Sequence, residues 1–376
     1  MRNIDRFAGV PLCWLFSLIS SLFPQRELRA VRKVLIIKFF GMGSIIVASP
    51  AFAMLKSRFP DARIDVLTFD GNKDLVERYP QVSSVPAIRT ASLMMFLSDT
   101  FRVARLIRRE RYDAVLDFEF FSKFSTLLSG FTGAPHRSGF ALPARWRSSI
   151  LTHQVELDKH AHVRESFCAQ IVPLTGTRDI PDTAAPSIRP EDMLSMNRKL
   201  PLNGKPVIAI NVNASDTFLE RRWLPERFAD LVSRLGNLHD WVFFFIGVDN
   251  ERSYVQDVID ATTCRKRCYN VAGILTVPEL AAFLRRCDLL LTADSGPAHL
   301  AAALGTPVVS LYGPESPEFY GPSGKNSVTL YRATPCSPCM NVYTSKTYKC
   351  PHNAACMREI HTSDVLEIVQ SVMVQA

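Results

Sequence analysis

The sequence predicts an α/β protein made of two Rossmann-like, doubly wound domains. Its 376 residues exceed one ordinary core and fall short of three. From Val31 onward, β-branched apolar runs alternate with amphipathic helical stretches, the pattern of a parallel sheet covered on both faces. The alternation breaks over residues 179–190, where Pro181, Pro186 and Pro190 interrupt all periodicity and mark a linker. The expected organisation is an apolar N-terminal segment (1–30), a first domain (31–178), the linker (179–190) and a second domain (191–376).

In the first half, residues 34–39 read as a buried strand, and Gly41-Met42-Gly43-Ser44 as a tight turn opening a helix. That helix carries Ile45, Ala48, Phe52 and Leu55 and should kink at Pro50. Residues 63–68 and 112–118 alternate as further strands, and the carboxyl ends of such strands face the binding cleft in doubly wound folds. In the second half, strands are expected over 207–212, 241–246, 289–292 and 308–312. A helix over 225–235 should stop at Gly236, and a short one over 296–304 at Gly305. Thr276 and Glu279 have the spacing of a capping box at the start of a helix running to about residue 287.

Composition narrows the function. With 47% hydrophobic and 21% charged residues the chain is globular. A net charge of +8 suits nucleic acid, an anionic membrane or a phosphorylated small molecule. No basic stripe with interleaved aromatics and no reading module is present, so no nucleic-acid partner is expected. Nine scattered cysteines fit a reducing compartment, the cytoplasm. Residues 10–23 are apolar, follow Arg2 and Arg6, and are too short to span a bilayer, which needs about twenty residues. With Trp14, Phe16 and Phe23 they suit a helix at a membrane surface, or one packed on the protein itself.

Two loops carry the chemistry. Asp294-Ser295-Gly296-Pro297-Ala298-His299 lies between a strand and a helix that Pro297 can open. The free amides there, aided by the helix dipole, suit a phosphate or pyrophosphate, with Ser295 and His299 as further donors. The plainer alternative is that Asp294 or Ser295 merely caps the helix. Asn211-Val212-Asn213-Ala214-Ser215 precedes Arg221-Arg222-Trp223-Leu224-Pro225-Glu226. Asn213 and Ser215 can bond phosphate oxygens, and Arg221 or Arg222 can add a charge-assisted contact. Together the loops point to a nucleotide-diphosphate site.

These motifs, in this order, resemble glycosyltransferase family nine, whose best-known members are the lipopolysaccharide heptosyltransferases. The likeness extends to Gly41-Met42-Gly43, Phe59-Pro60-Asp61-Ala62, Arg137-Ser138-Gly139-Phe140 and Gly305-Thr306-Pro307-Val308-Val309. The resemblance implies a GT-B fold whose two domains face a central cleft. It implies an inverting, metal-independent enzyme without a cofactor, taking ADP-heptose or another nucleotide diphosphate sugar in the second domain. The implied acceptor is an anionic lipid-linked glycan such as a lipopolysaccharide core, met at the inner face of the cytoplasmic membrane. Gly43, Asn213, Ser215, Arg221, Asp294, Ser295, Gly296, Pro297 and His299 then belong to donor binding. The final helix, over 363–374, is expected to cross back to the first domain.

One departure matters. Where the family usually carries an Asp general base after the second glycine, this chain has Ser44, whose hydroxyl has no proton-binding state near working pH. Asp117 and Glu119, at a strand end, are the candidate replacements, and Glu119 is favoured as nearer the loop mouth. They can equally cap the next helix or pair with Lys123. The alternative function is a catalytically inactive nucleotide-sugar or glycan-binding protein. A dinucleotide oxidoreductase is disfavoured because Gly41-Met42-Gly43 lacks the third glycine of its fingerprint. Cys336, Cys339, Cys350 and Cys356 are spaced unlike two close zinc-binding pairs and read as a reduced staple or disulfide. Arginines over 102–109, with Arg137, Arg145 and Arg147, offer positive charge to an anionic acceptor or simply coat a solvated face.

Overall fold

The computed structural model describes residues 9–20, 27–120, 122–141, 147, 149–158, 160–202, 204–214, 218–341 and 349–375. The chain divides into two compact units, Met1–Ala184 and Ala185–Ala376. No helix among the described residues is long and apolar enough to cross a membrane.

The first unit is built on a six-stranded parallel sheet of β1 (Lys33–Ile37), β2 (Arg63–Phe69), β3 (Ala87–Ile88), β4 (Ala114–Asp117), β5 (His136–Phe140) and β6 (His153–Val155). Their spatial order is β3-β2-β1-β4-β5-β6. β1 pairs with β2 on one side (Val34 opposite Ile64) and β4 on the other (Val34 opposite Ala114). Chain direction across the sheet therefore reverses between β1 and β4. Beyond its first residue, Lys33, β1 is buried on both faces and apolar, and Val34, Leu35, Ile36 and Ile37 are all fully buried. The kink expected at Pro50 appears as a break at Ala48 between helices Met42–Val47 and Ser49–Arg58, with Pro50 in the first turn of the second.

The second unit repeats the plan with β7 (Val207–Asn211), β8 (Val242–Phe245), β9 (Cys268–Asn270), β10 (Leu289–Ala293), β11 (Val308–Tyr312) and β12 (Ser327–Tyr331). The order β12-β11-β10-β7-β8-β9 is the same arrangement seen from the other edge, with the reversal between β7 and β10. The capping box forms as expected: Thr276 Oγ1 accepts from the Glu279 amide at 3.4 Å, and Glu279 Oε2 accepts from the Thr276 amide at 2.8 Å. Gly305, at φ 82°, ends the helix Gly296–Leu304 in the left-handed region that glycine tolerates.

One expectation is corrected. Gly236 does not stop its helix, which runs Pro225–Leu238; a Cβ there would meet Cys264 Sγ at 2.6 Å, so the glycine serves close packing. The final helix, Thr362–Gln375, packs on Pro225–Leu238 and gives Val365 and Val369 to the core of its own unit. Trp223 anchors that region, fully buried with its Nε1 donating to the Ile360 carbonyl at 3.0 Å. The linker leans the other way: Ser49 Oγ bonds both the amide and the carbonyl of Ala184, at 2.9 and 3.2 Å.

Candidate functional site

Each unit has a topological switch point, where neighbouring strands send their connections to opposite faces and leave a crevice at their carboxyl ends. The predicted site residues that the structure describes fall at these two places.

At the β1/β4 switch, Asp117 ends β4 and is fully buried. Its Oδ2 lies 2.7 Å from Arg147 NH2 and accepts from Thr126 Oγ1 at 3.0 Å, while Oδ1 accepts from the Glu119 amide at 3.2 Å. Arg147, also fully buried, donates to the carbonyls of Phe120 and Glu119 at 2.6 and 2.8 Å. Burial pushes the Asp117 carboxyl up and Arg147 pulls it back. Asp117 is thus a carboxylate with no exposed surface, bound to a buried guanidinium. The same contact removes Arg147 from the cations open to an acceptor. Arg137 is likewise turned inward, donating to the Ile150 carbonyl at 2.7 Å, and Arg145 lies outside the described residues.

Glu119 is nearly buried, at 5% exposure. Its Oε1 accepts from Lys38 Nζ at 3.0 Å and from the amides of Phe39 and Phe40 at 2.7 and 3.0 Å. One carboxylate oxygen thus ties the end of β1 to the end of β4 and fixes the approach to the glycine turn. Gly41, at φ 84°, begins that turn, and a Cβ on it would lie 3.2 Å from Ser44 Oγ. Gly43 is buried and Ser44 half-buried within the helix that follows. Lys38, which holds Glu119, is not singled out by the sequence motifs, although it lies directly after β1.

The β7/β10 switch is differently arranged. Asn211, ending β7, donates from Nδ2 to Thr292 Oγ1 at 3.2 Å and accepts from the Asn213 amide at 3.3 Å. Asn213 is 2% exposed, yet among the described residues neither its Oδ1 nor its Nδ2 has a partner. Ser215 lies outside the described residues. Arg221 NH1 meets Asp294 Oδ2 at 2.8 Å, its guanidinium lies 4.8 Å from the Phe218 ring centre, and its Nε has no partner among the described residues. Burial works against its charge, but the Asp294 carboxylate holds its pKa above the ordinary value.

The capping alternative is not realised. Ser295 occupies the N-cap of helix Gly296–Leu304 with no side-chain cap, its Oγ lying 2.8 Å from Thr292 Oγ1 instead. Asp294 is turned to Arg221. Pro297 sits in the first turn, and His299 is buried one turn in. The start of this nine-residue helix therefore keeps the positive end of its dipole and its first amides unsatisfied by its own side chains.

Two residues here carry no motif of their own. Glu315 follows β11 and is 7% exposed, its Oε1 accepting from the Ser316 amide at 3.2 Å. Burial first, and then the neighbouring Asp294 charge, push its carboxyl up to about 8. Tyr312, fully buried at the end of β11, is also held well above its usual value by burial and Asp294. Glu315 stands directly beyond a recognised strand, so its position is legible in the sequence and its burial is not. Among the described residues no disulfide is formed, and no group of three or more His, Cys, Asp or Glu side chains is placed to hold a metal ion.

Residues 100–349 match the model of glycosyltransferase family 9 (heptosyltransferase). Lipopolysaccharide heptosyltransferase 2 of Salmonella typhimurium is 27% identical over 303 residues, covering 77% of this chain and 85% of that protein. Among solved structures, the E. coli ADP-heptose lps heptosyltransferase II superposes with a TM-score of 0.73 at 23% identity, covering 91% of this chain and 99% of the other. A glycosyl transferase family 9 protein of Veillonella parvula gives 0.76 at 22% identity, covering 94% and 99%. The likeness reaches an enzyme family and its two-domain GT-B fold and lends no support to an inactive binding protein. The chain belongs to glycosyltransferase family 9 and is a glycosyltransferase.

Proposed function

We propose that the enzyme transfers a sugar, heptose first among the candidates, from a nucleotide diphosphate sugar to the lipopolysaccharide core or a related lipid-linked glycan, with inversion and without a metal. The observation that carries the donor assignment is the uncapped start of helix Gly296–Leu304 beside Asn213 and Arg221. Buried polar atoms left without partners cost stability unless a ligand supplies them. A diphosphate does so: its oxygens take the helix amides, the Asn213 Nδ2 and the guanidinium of Arg221. The same groups stabilise the charge that develops on the leaving nucleotide, which lets the reaction proceed without a metal. The ADP-heptose named for the related E. coli enzyme supports adenine as the base and heptose as the sugar.

In the first unit, Glu119 acts as a positioning residue. With one oxygen committed to an ammonium and two amides, it braces the glycine turn. The reaction is to take place on the cytoplasmic face of the membrane that bears the acceptor.

Nucleotide release and sugar transfer, measured with ADP-heptose and a panel of other nucleotide sugars in EDTA, test the reading. Turnover should persist in EDTA, and Arg221→Ala should lower kcat by about 10²–10³-fold. Failure of every nucleotide sugar to bind would sink the donor site. Activity that EDTA abolishes and added metal restores would overturn the metal-free mechanism.

A further inference from the structure

Neither switch point uses the most apolar exposed surface of the first unit. The helix Gly9–Ser20 contains no charged residue. One side of it docks on the helix Lys123–Phe131: Cys13 is buried with Ile150, joined by Phe16 and Leu127. The Phe16 ring covers Gly130 so closely that a Cβ there would come within 2.6 Å. The other side leaves Leu12, Trp14, Leu15 and Leu18 exposed by 49%, 50%, 54% and 68%. An apolar helix normally buries every face, so an outer face left open calls for an apolar neighbour.

A second helix flanks the same element. Leu93–Glu110 meets Lys123–Phe131 through Phe96 and Phe124, whose ring centres lie 5.3 Å apart. Its inner face buries Asp99, Val103 and Ile107. Outward it shows Leu93, Met94, Leu97 and Phe101, all more than half exposed, followed by exposed Arg102, Arg105, Arg108 and Arg109. Its two acids are paired: Asp99 with Arg89 at 2.8 Å and with Arg102 at 3.3 Å, and Glu110 with Lys33 and Arg63 at 2.9 and 3.3 Å. The exposed charge is thus basic, and Arg105 lies 5.3 Å from the Phe101 ring centre. An open recess of about 400 Å³ runs between Phe101, Arg102, Arg105, Leu106 and Arg109.

We propose that these two helices form the surface by which the first unit lies on an anionic lipid bilayer. Trp14, Leu18, Met94 and Phe101 enter the boundary between headgroups and acyl chains, and the arginines meet headgroup phosphates, with the recess taking one of them. Long arginine stems suit this, covering apolar surface while the charge reaches the phosphate layer. A bilayer fits better than a second copy of the chain, because a self-facing contact sets arginine rows against each other. The inference deepens the proposed function, since a lipid-linked acceptor lies in such a layer, but its observations are independent of the donor site.

The test is sedimentation of the full chain with vesicles of phosphatidylglycerol and phosphatidylcholine, against phosphatidylcholine alone, at low and high salt. ADP binding is measured on the same preparations as the check on folding. The wild type should bind the anionic vesicles, and salt should weaken the binding. Met94→Ser/Phe101→Ser and Arg105→Glu/Arg109→Glu should each weaken it about tenfold or more with ADP binding intact. Equal binding to both vesicle types, or variants that sediment like the wild type, would overturn the proposal. So would a dimer in light scattering that these variants split while vesicles are ignored. ADP binding without vesicle binding removes this surface and leaves the transferase reading standing; vesicle binding without any nucleotide-sugar binding does the reverse.

Discussion

The two switch points share one topology and differ in how their polar groups are satisfied. At β1/β4 the carboxylates are consumed internally, Asp117 by Arg147 and Glu119 by Lys38 and two backbone amides. At β7/β10 Asn213 keeps both amide atoms unpartnered among the described residues, and the helix beyond Asp294 starts uncapped. A doubly wound sheet offers a crevice at each reversal, but only unsatisfied donors and acceptors turn a crevice into a strong ligand site. The first switch is braced internally; the second leaves polar atoms that the proposed donor would complete.

The largest effect should come from cutting the internal pairing of the first switch. Arg147→Met leaves Asp117 buried without its cation and should cost about 3–5 kcal/mol of stability, read as a lowered midpoint in urea unfolding. A midpoint close to wild type would mean that Asp117 is not relying on Arg147, and the first switch would not be braced internally. Glu119→Gln comes next. A positioning role predicts a raised KM for acceptor and a fall in kcat of about tenfold or less, with its pH profile unchanged. Loss of about 10²–10⁴-fold in kcat, with the basic limb of that profile gone, would instead make Glu119 the base.

The smallest effect concerns Glu315 at the second switch. Its folded pKa, about 8, lies above the ordinary 4.5, so the folded protein holds a proton there that the unfolded chain releases. Its contribution to stability is therefore fully present below about 4.5 and is lost as pH rises through about 8. Donor binding follows the same direction, because a neutral carboxyl beside Asp294 does not repel a diphosphate and an ionised one does. Donor KM should rise above pH 8, and Glu315→Gln should flatten both trends. A variant that keeps the wild-type slope in both would remove Glu315 from the donor site.

Much of the second unit is legible in its sequence. The strand at Leu289–Ala293, the capping box at Thr276 and the stop at Gly305 rest on local rules of periodicity, side-chain reach and positive φ, which operate within a few residues. The loops proposed to hold the donor are legible in the same way, because strand end, helix start and turn residues are contiguous in the chain. Gly236 misleads because a helix-ending glycine and a close-packing glycine look alike until Cys264 is brought against it.

Local pattern is enough to set the fold class, the positions of the loops that bear function and, through the motifs, the family. Long-range packing decides which polar groups are spent and which are left for a ligand. Asp117 and Asp294 are both acids at strand ends, but Arg147 seals one at zero exposure while the other steadies Arg221 at the mouth of an uncapped helix. Those partners come from 30 and 73 residues away, so the pairing follows from how the elements pack, which no local pattern encodes.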